Sequence, residues 1–268
     1  MTLAKADSTI GGSGGTPLRI VVLTYPCAKT LHLLTALADG GFAAEAVVVQ
    51  QRSLLHRADR LARRFGIRST LSIAVQRLKT EFTAGPSQNP HRIDTYRANT
   101  HDLILVRDLN SDETMAALER LAPDIGVVGC AGILRPAVFQ SFRLGILNIH
   151  PGITPHYRGR SPLEWAVLEE TQPGVTLHFI DAGVDTGPVV EQREVPVRPE
   201  DDFDSLYGRA YDVGIELLVN CLRTLARGDS LASVSQDWKH TRLRHSMPRR
   251  LRRVAVRRLR EAALVADD

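Results

Sequence analysis

The sequence predicts an α/β fold with a mostly parallel sheet that carries helices on both of its faces. Short apolar runs alternate with longer amphipathic runs, which is the pattern of repeated strand–helix–strand units. The first unit has a buried strand over residues 18–24, a helix over residues 30–39 and a second strand over residues 44–49. A composition of 43% hydrophobic and 24% charged residues is typical of a globular protein with a full core.

The beginning of the chain is predicted to be a flexible leader, residues 1–17, ahead of a globular domain over residues 18–228. Residues 11–15 are glycine and serine only, which is a flexible linker composition. A phosphate-binding loop is the alternative, but such a loop follows a strand rather than preceding one. The turn after the first strand, residues 25–29, lacks the G-x-G-x-x-G pattern, which disfavours a dinucleotide cofactor.

Two helices are predicted after the second strand, over residues 54–65 and 71–82, followed by a loop over residues 83–92. The first helix has an apolar face and a basic face. The basic face is either solvated or docks a phosphorylated acceptor. Its arginines are Arg57, Arg60, Arg63 and Arg64.

The second half of the domain continues the alternation. Ser111 is predicted to cap a helix, and a buried strand follows over residues 125–128. A short helix begins at Pro136 and runs to Phe142, and residues 203–225 form a long amphipathic helix that closes the sheet.

A first polar motif lies at the end of a short buried strand predicted over residues 145–149. Asn148 and His150 are two residues apart, so they project to the same side of a strand. Pro151 and Gly152 then stop the strand, and a helix is predicted to start at Ser161. An amide and a group that titrates near neutral pH therefore enter one loop together.

A second polar motif lies between two further strands, predicted over residues 174–180 and 189–197. The loop between them carries Asp181 and Asp185. His178 falls inside the first of these strands and is predicted to be a core histidine with satisfied hydrogen bonds rather than a catalytic one. An Asn, a His and an Asp that reach one cleft from neighbouring strand ends suit acid–base chemistry on an acyl group.

These two motifs, in this order and at this separation, resemble the 10-formyltetrahydrofolate-dependent formyltransferases. The resemblance implies a Rossmann-like formyltransferase catalytic domain with a catalytic Asn148, His150 and Asp185. It implies 10-formyltetrahydrofolate as the formyl donor. It also extends to residues 123–134, where the backbone of relatives faces the folate pterin. The folate-binding residues implied are Cys130, Gly132, Ile133, Leu134, Asp181, Ala182, Gly183 and Val184.

The expected function is transfer of a formyl group to a primary amine of a small molecule, either an amino sugar or a secondary-metabolite amine. Glycinamide ribonucleotide transformylase is the alternative enzyme, and a non-catalytic folate-binding protein is the alternative of another class. About forty residues follow Gly228, too few for the second domain of methionyl-tRNA formyltransferases, so no nucleic-acid partner is expected. No metal is expected, because the candidate ligands lack the spacing of a metal site.

The bulk properties fit a soluble cytoplasmic enzyme. No apolar run is long enough to span a membrane, and the N-terminus lacks a signal peptide. The scattered Cys27, Cys130 and Cys221 are expected to be reduced, buried thiols rather than a disulfide framework.

The basic tail, residues 229–268, is predicted to be part helical. Nine arginines fall between Arg242 and Arg260 with no acidic residue among them, and apolar residues recur on the opposite face. Such a helix either makes weak contact with an anionic membrane or docks on the domain with a solvated basic face. A disordered tail is the third interpretation, and charge alone does not separate the three.

Overall fold

The computed structural model describes residues 8–11, 17–51, 96–97 and 100–265. The predicted helices at 54–65 and 71–82, with their arginines, and the loop at 83–92 lie outside the described residues. Within the described residues, none of the helices combines the length and the apolar character needed to cross a bilayer.

The described strands are β1 (Ser8–Gly11), β2 (Ile20–Thr24), β3 (Ala44–Gln50), β4 (Thr100–Val106), β5 (Ile125–Cys130), β6 (Ile146–His150), β7 (Gly174–Phe179), β8 (Val189–Glu194) and β9 (Ser230–Ser233). The described helices are α1 (Ala28–Asp39), α2 (Asp112–Leu121), α3 (Pro136–Gln140), α4 (Pro162–Leu168), α5 (Phe203–Ala226) and α6 (Arg249–Val265).

Seven of the described strands form one sheet in the order β4-β3-β2-β5-β6-β7-β8. Strands β2, β3 and β4 are parallel, with Val21 paired to Ala46 and Val48 to Ile104. Strands β6, β7 and β8 are antiparallel. The nine-residue loop between β7 and β8 contains no helix, and so short a connection suits an antiparallel pair but not a parallel one. The predicted α/β class with a mostly parallel sheet is confirmed, and the antiparallel end adds a detail that the sequence did not show.

The chain divides into two compact units. The amino-terminal unit consists of Arg19–Pro123 and Val128–Leu134. Its strand β2 is buried at every residue, which is typical of a strand covered on both faces. Helix α1 packs against β3. Helix α2 begins after Ser111, whose hydroxyl accepts a hydrogen bond from the Thr114 N–H at 3.3 Å, so the predicted cap is confirmed.

The carboxy-terminal unit consists of Met1–Leu18, Asp124–Val127 and Arg135–Asp268. Its longest helix, α5, packs against β6 and β7. A capping box starts this helix: the Asp202 side chain accepts from the Ser205 N–H at 2.8 Å, and the Ser205 hydroxyl accepts from the Asp202 N–H at 3.0 Å. The long helix predicted over residues 203–225 is therefore confirmed almost to the residue.

Both ends of the chain add elements to the carboxy-terminal unit. Strand β1, which lies inside the predicted leader, pairs antiparallel with β9. Helix α6 packs against α4 with Ala255 and Leu259 buried. Its Arg258 donates to the Leu168 carbonyl and lies 3.2 Å from the Glu170 carboxylate. The helix is thus in contact with the domain through Ala255 and Leu259, as in the docked interpretation.

Two glycines of α5 differ in their surroundings. A Cβ at Gly214 would overlap the Ile149 side chain and lie 3.1 Å from Val175 Cγ2, whereas a Cβ at Gly208 would have no atom within 4 Å. Ile149 stands on β6 between the two polar motif residues Asn148 and His150. Gly214 therefore sets how closely α5 approaches the strand that carries them.

We expect Gly214→Ala and Gly208→Ala to change stability in opposite directions. Gly208→Ala should raise the unfolding free energy by about 0.5–1 kcal/mol, because alanine loses less backbone entropy in a helix. Gly214→Ala should lower it by about 1–3 kcal/mol, because the added methyl overpacks the core. Urea unfolding of both variants measures the difference, and equal effects would contradict this packing.

Candidate active site

Asn148 and His150 project from the end of β6, as the strand spacing predicts. Antiparallel pairing places His178 of β7 directly opposite Asn148, and Thr176 opposite His150. Directly opposed residues of an antiparallel pair contact each other. The Asn148 Nδ2 atom accordingly lies 3.1 Å from the His178 Nε2 atom.

His178 is buried in the core, as predicted, but its partner is a motif residue. Its Nδ1 lies 2.8 Å from the Phe179 carbonyl oxygen, which only accepts, so Nδ1 carries a proton and donates. Burial, together with the nearby His150, lowers the pKa of His178 from its ordinary value, so the ring is neutral. Its Nε2 then accepts a hydrogen bond from the Asn148 amide. This fixes the amide orientation and leaves a second Asn148 N–H for another acceptor.

His150 lies between two acceptors. Its Nε2 is 2.8 Å from the Tyr157 carbonyl oxygen, and its Nδ1 is 3.4 Å from the Asp185 Oδ2 atom. A carbonyl and a carboxylate both accept hydrogen bonds, so each ring nitrogen of His150 faces an acceptor and the ring is held in one orientation. The ring is buried, with 5% of the residue exposed, so solvent screens this arrangement weakly.

Asp185 connects the two histidines with the first motif loop. Its Oδ2 accepts a hydrogen bond from the Gly159 N–H at 2.8 Å, and its Oδ1 lies 3.7 Å from His178 Nε2. The residue has a φ of 53°, a left-handed conformation that aspartate tolerates better than most side chains. The structure therefore brings the predicted Asn148, His150 and Asp185 together, with His178 as the fourth member of the set.

The Asp181 side chain stabilises the conformation of its own loop. Its Oδ1 accepts from the Gly183 N–H at 3.0 Å and from the Thr186 hydroxyl at 2.6 Å. Ala182 and Gly183 are exposed at the tip, and the Val184 carbonyl accepts from Arg158 at 3.4 Å. Of the two carboxylates in the loop, Asp185 is the one beside the histidines.

The other predicted folate-binding residues end β5 in the amino-terminal unit. Gly132 has open space where a side chain would stand, and the Ile133 side chain is 75% exposed. The Ile133 carbonyl accepts from the Asn110 amide at 3.0 Å, and Leu134 is buried. Their contact with folate stays a prediction.

A segment that sequence reasoning did not connect with the site, residues 234–247, contacts both motif loops, and we name it the strap. Gln236 Nε2 donates to the Gly187 carbonyl at 2.5 Å and to the Asp185 carbonyl at 3.3 Å. The Arg244 N–H donates to the Arg158 carbonyl at 2.9 Å, and the Arg160 N–H donates to the Arg244 carbonyl at 2.9 Å. The strap thus ties the Asp185 loop to the loop that follows His150.

Arg158 is buried in the middle of this arrangement, with 9% of the residue exposed. It donates to the Thr241 hydroxyl and carbonyl, at 3.3 Å each, and its guanidinium lies 5.1 Å from the Trp238 ring centroid. Both Thr241 and Trp238 belong to the strap. The Arg158 guanidinium is therefore bound by neutral acceptors and by an aromatic face of the strap.

Gly152 is required by the His150 hydrogen bond. A Cβ at this position would lie 3.0 Å from His150 Nε2, 3.0 Å from the Tyr157 oxygen and 2.6 Å from Pro162 Cβ. A side chain would therefore enter the space between donor and acceptor. In the part of the chain that the structure describes, no group of three His, Cys, Asp or Glu side chains is placed to hold a metal ion.

The formyl transferase family matches residues 18–222, a span that includes both polar motifs. This match covers more than half of the chain. The chain therefore belongs to the formyl transferase family.

Its sequence relatives include methionyl-tRNA formyltransferases. One from Synechococcus sp. (strain JA-3-3Ab) is 42% identical over 127 residues, which are 47% of this chain and 39% of the relative. Another from Koribacter versatilis (strain Ellin345) is 42% identical over 130 residues, which are 48% of this chain and 41% of the relative. The matched stretch thus spans about two fifths of the length of these relatives.

Solved structures of similar fold include two enzymes with other acceptors in their names. A sugar N-formyltransferase from Shewanella sp FDAARGOS_354 superposes with a TM-score of 0.56 at 15% identity, over 90% of this chain and 87% of that one. Glycinamide ribonucleotide transformylase 1 from Symbiobacterium toebii gives 0.54 at 21% identity, over 81% and 95%. At these identities the likeness shows the fold, and it agrees with the Rossmann-like class.

The neutral His178 generates a prediction about pH. Because its pKa is lowered in the folded state from the ordinary 6.5, the unfolded chain takes up a proton below pH 6.5 that the folded chain does not. This contribution makes the folded state less stable as the pH falls below 6.5. We expect His178→Gln to show a smaller loss of unfolding free energy between pH 7.5 and pH 5.5 than the wild type.

Urea unfolding at several pH values measures this effect, with His101→Gln on the rim of β4 as the exposed control. An unchanged pH dependence in His178→Gln would show that the buried ring is protonated as readily as in the unfolded chain.

Proposed function

We propose that this protein is an N-formyltransferase that moves the formyl group of 10-formyltetrahydrofolate to a primary amine of a small molecule. The observation that carries the proposal is the connected set of Asn148, His150, His178 and Asp185 in a member of the formyl transferase family. The set contains hydrogen-bond donors for an oxyanion and a carboxylate for a proton.

In the first step the amine nitrogen attacks the formyl carbon, and the carbonyl oxygen becomes an oxyanion. The second N–H of the Asn148 amide and a ring N–H of His150 are the proposed donors for that charge. Preorganised donors of this kind are worth much in a water-poor site, since loss of one typically costs about 2.7–4 kcal/mol. His178 contributes by holding the Asn148 amide in the donating orientation.

In the second step the bond from carbon to the folate nitrogen breaks. The attacking amine must lose a proton, and the departing nitrogen must gain one. Asp185, with 16% of its side chain exposed, is placed to accept the proton directly or through a water. Its hydrogen bond from the Gly159 N–H holds the carboxylate beside His150.

The folate donor is proposed to bind along the backbone of Cys130, Gly132, Ile133 and Leu134 and the loop of Asp181, Ala182, Gly183 and Val184. Support comes from the open space at Gly132 and the exposed Ile133 side chain, which offers an apolar surface for a flat ring.

A small acceptor is supported by a cavity of about 460 Å³ against the loop that follows His150. This volume lies within the usual range for small-molecule sites, which is roughly 300–1,000 Å³. Its wall combines cations, anions and hydroxyls, which suits a polar, hydrogen-bonding acceptor such as an amino sugar. Among the lining residues are His156, Tyr157, Glu169, Glu194, Arg242 and Arg244.

A second candidate acceptor is methionyl-tRNA, because the sequence relatives at 42% identity carry that name. Glycinamide ribonucleotide is a third, and a folate-binding protein without turnover remains the alternative of another class. One assay separates all four: release of tetrahydrofolate from 10-formyltetrahydrofolate with amino sugars, glycinamide ribonucleotide, methionyl-tRNA or no amine. We expect release only with an amine, together with the mass gain of one formyl group on an amino sugar or related metabolite.

Release with methionyl-tRNA or glycinamide ribonucleotide alone would replace the proposed acceptor while keeping the reaction. Release without any amine would identify a hydrolase. Tight binding of the donor with no release under any condition would contradict the proposal altogether.

Turnover should depend on the polar set while folding does not. We expect Asn148→Ala and His150→Ala each to lower kcat by about 100- to 1,000-fold, since each removes one oxyanion donor. Asp185→Ala should lower kcat as well, because the proton acceptor is lost. His101→Ala, an exposed histidine outside the set, serves as the matched control. Near wild-type turnover of a folded His150→Ala variant would remove the basis for this mechanism.

A further inference from the structure

Two cysteines of the amino-terminal unit lie together although they are far apart in the sequence. The Tyr25 N–H donates to the Cys130 carbonyl at 2.7 Å, and the Cys130 N–H donates to the Thr24 hydroxyl at 3.1 Å. These bonds hold the end of β5 alongside the turn that leads to Cys27. The two thiols are thereby neighbours, close enough for each to shift the pKa of the other.

Thr30 completes the surroundings of the pair. Its hydroxyl is 3.2 Å from the Cys27 sulfur and 2.7 Å from the Thr24 hydroxyl. Cys27 is the N-cap residue of helix α1, so its side chain stands at the start of that helix. Backbone N–H groups at a helix start favour an anionic sulfur.

The two thiols are unequal. The neighbouring Cys130 thiol, the Thr30 hydroxyl and the N–H groups at the start of α1 lower the pKa of Cys27 to about 6. The neighbouring Cys27 thiol and burial raise the pKa of Cys130. At neutral pH the pair therefore holds a thiolate at Cys27 beside a protonated thiol at Cys130.

Accessibility also separates this pair from the third cysteine. Cys27 and Cys130 are half-buried, whereas Cys221 is buried in α5 and burial raises its pKa to about 12. All three are free thiols. A reactive cysteine is an accessible thiolate, and a neighbouring second cysteine can resolve the product of its oxidation. The formyl transfer mechanism uses none of these sulfurs.

We propose that Cys27 and Cys130 are a peroxide-sensitive pair that closes to an intramolecular disulfide. The Cys27 thiolate attacks one oxygen of hydrogen peroxide, the O–O bond breaks, and the hydroxide released takes a proton to form water. Cys27 is then a sulfenic acid. Cys130 loses its proton, and its sulfur attacks the Cys27 sulfur and displaces hydroxide, which with that proton gives a second water. Two thiols are oxidised, one peroxide is reduced, and one S–S bond forms.

The test treats the folded full chain with hydrogen peroxide, quenches with acid, and counts free thiols after denaturation. We expect the count to fall from three to one, with the loss of two hydrogens in the intact mass and one peptide pair linked through Cys27 and Cys130. Dithiothreitol should restore all three thiols. Cys221→Ser should form the same link and thereby act as the matched control.

Two single variants separate the roles of the pair. Cys130→Ser keeps a hydroxyl donor beside Cys27, so we expect a sulfenic acid there that dimedone traps. Cys27→Ser should give little dimedone adduct at Cys130, because that thiol is protonated. A thiol count that stays at three, oxygen addition without a link, or a link to Cys221 or between two chains would each overturn the proposal. None of these readouts depends on formyl transfer.

Discussion

The hydrogen bond between Asn148 and His178 is the contact on which the rest of the site depends. It exists because β6 and β7 pair antiparallel in one particular register, and a slip by one residue would turn both side chains to the other face of the sheet. Helix α5 packs against both strands, and the absence of a side chain at Gly214 leaves room for Ile149 of β6. A polar contact in the core is stable only when each partner is satisfied, and the Phe179 carbonyl satisfies the remaining nitrogen of His178.

The two buried imidazoles differ in their hydrogen bonds. His178 donates to a carbonyl through one nitrogen and accepts from an amide through the other, so both of its nitrogens are satisfied in the neutral ring. His150 places one nitrogen against the Tyr157 carbonyl and the other against the Asp185 carboxylate. The same residue type therefore accepts from an amide at one position and faces two acceptors at the other.

The sequence predicts those features that depend on neighbouring residues. The shared side of Asn148 and His150 follows from strand geometry, and the long helix α5 follows from its period and its cap. The sequence does not reveal that His178 lies opposite Asn148, because that requires the pairing of two strands. It gives no signal for the strap either, since residues 234–247 have no regular period and their partners, such as Gly187 and Arg158, are distant in the sequence. Cys27 and Cys130 come together only when β2 and β5 end at the same place. Helix α6 docks through the buried side chains of Ala255 and Leu259, and the pattern of charges along the tail does not predict this contact.

Tyr157 contacts both His150 and the cavity proposed for the acceptor. Its carbonyl accepts from His150, while its ring lines the cavity proposed for the acceptor and lies 5.6 Å from the Arg244 guanidinium. Its hydroxyl bonds Thr171 at 2.6 Å and Glu169 at 3.2 Å. An acceptor that moves this ring would therefore also move the carbonyl that orients the His150 imidazole. Arg244 belongs to the strap, which ties the His150 and Asp185 loops together. A substitution at Arg244 therefore changes the wall of the cavity proposed for the acceptor, whereas the Asn148–His178 contact is fixed by the register of β6 and β7.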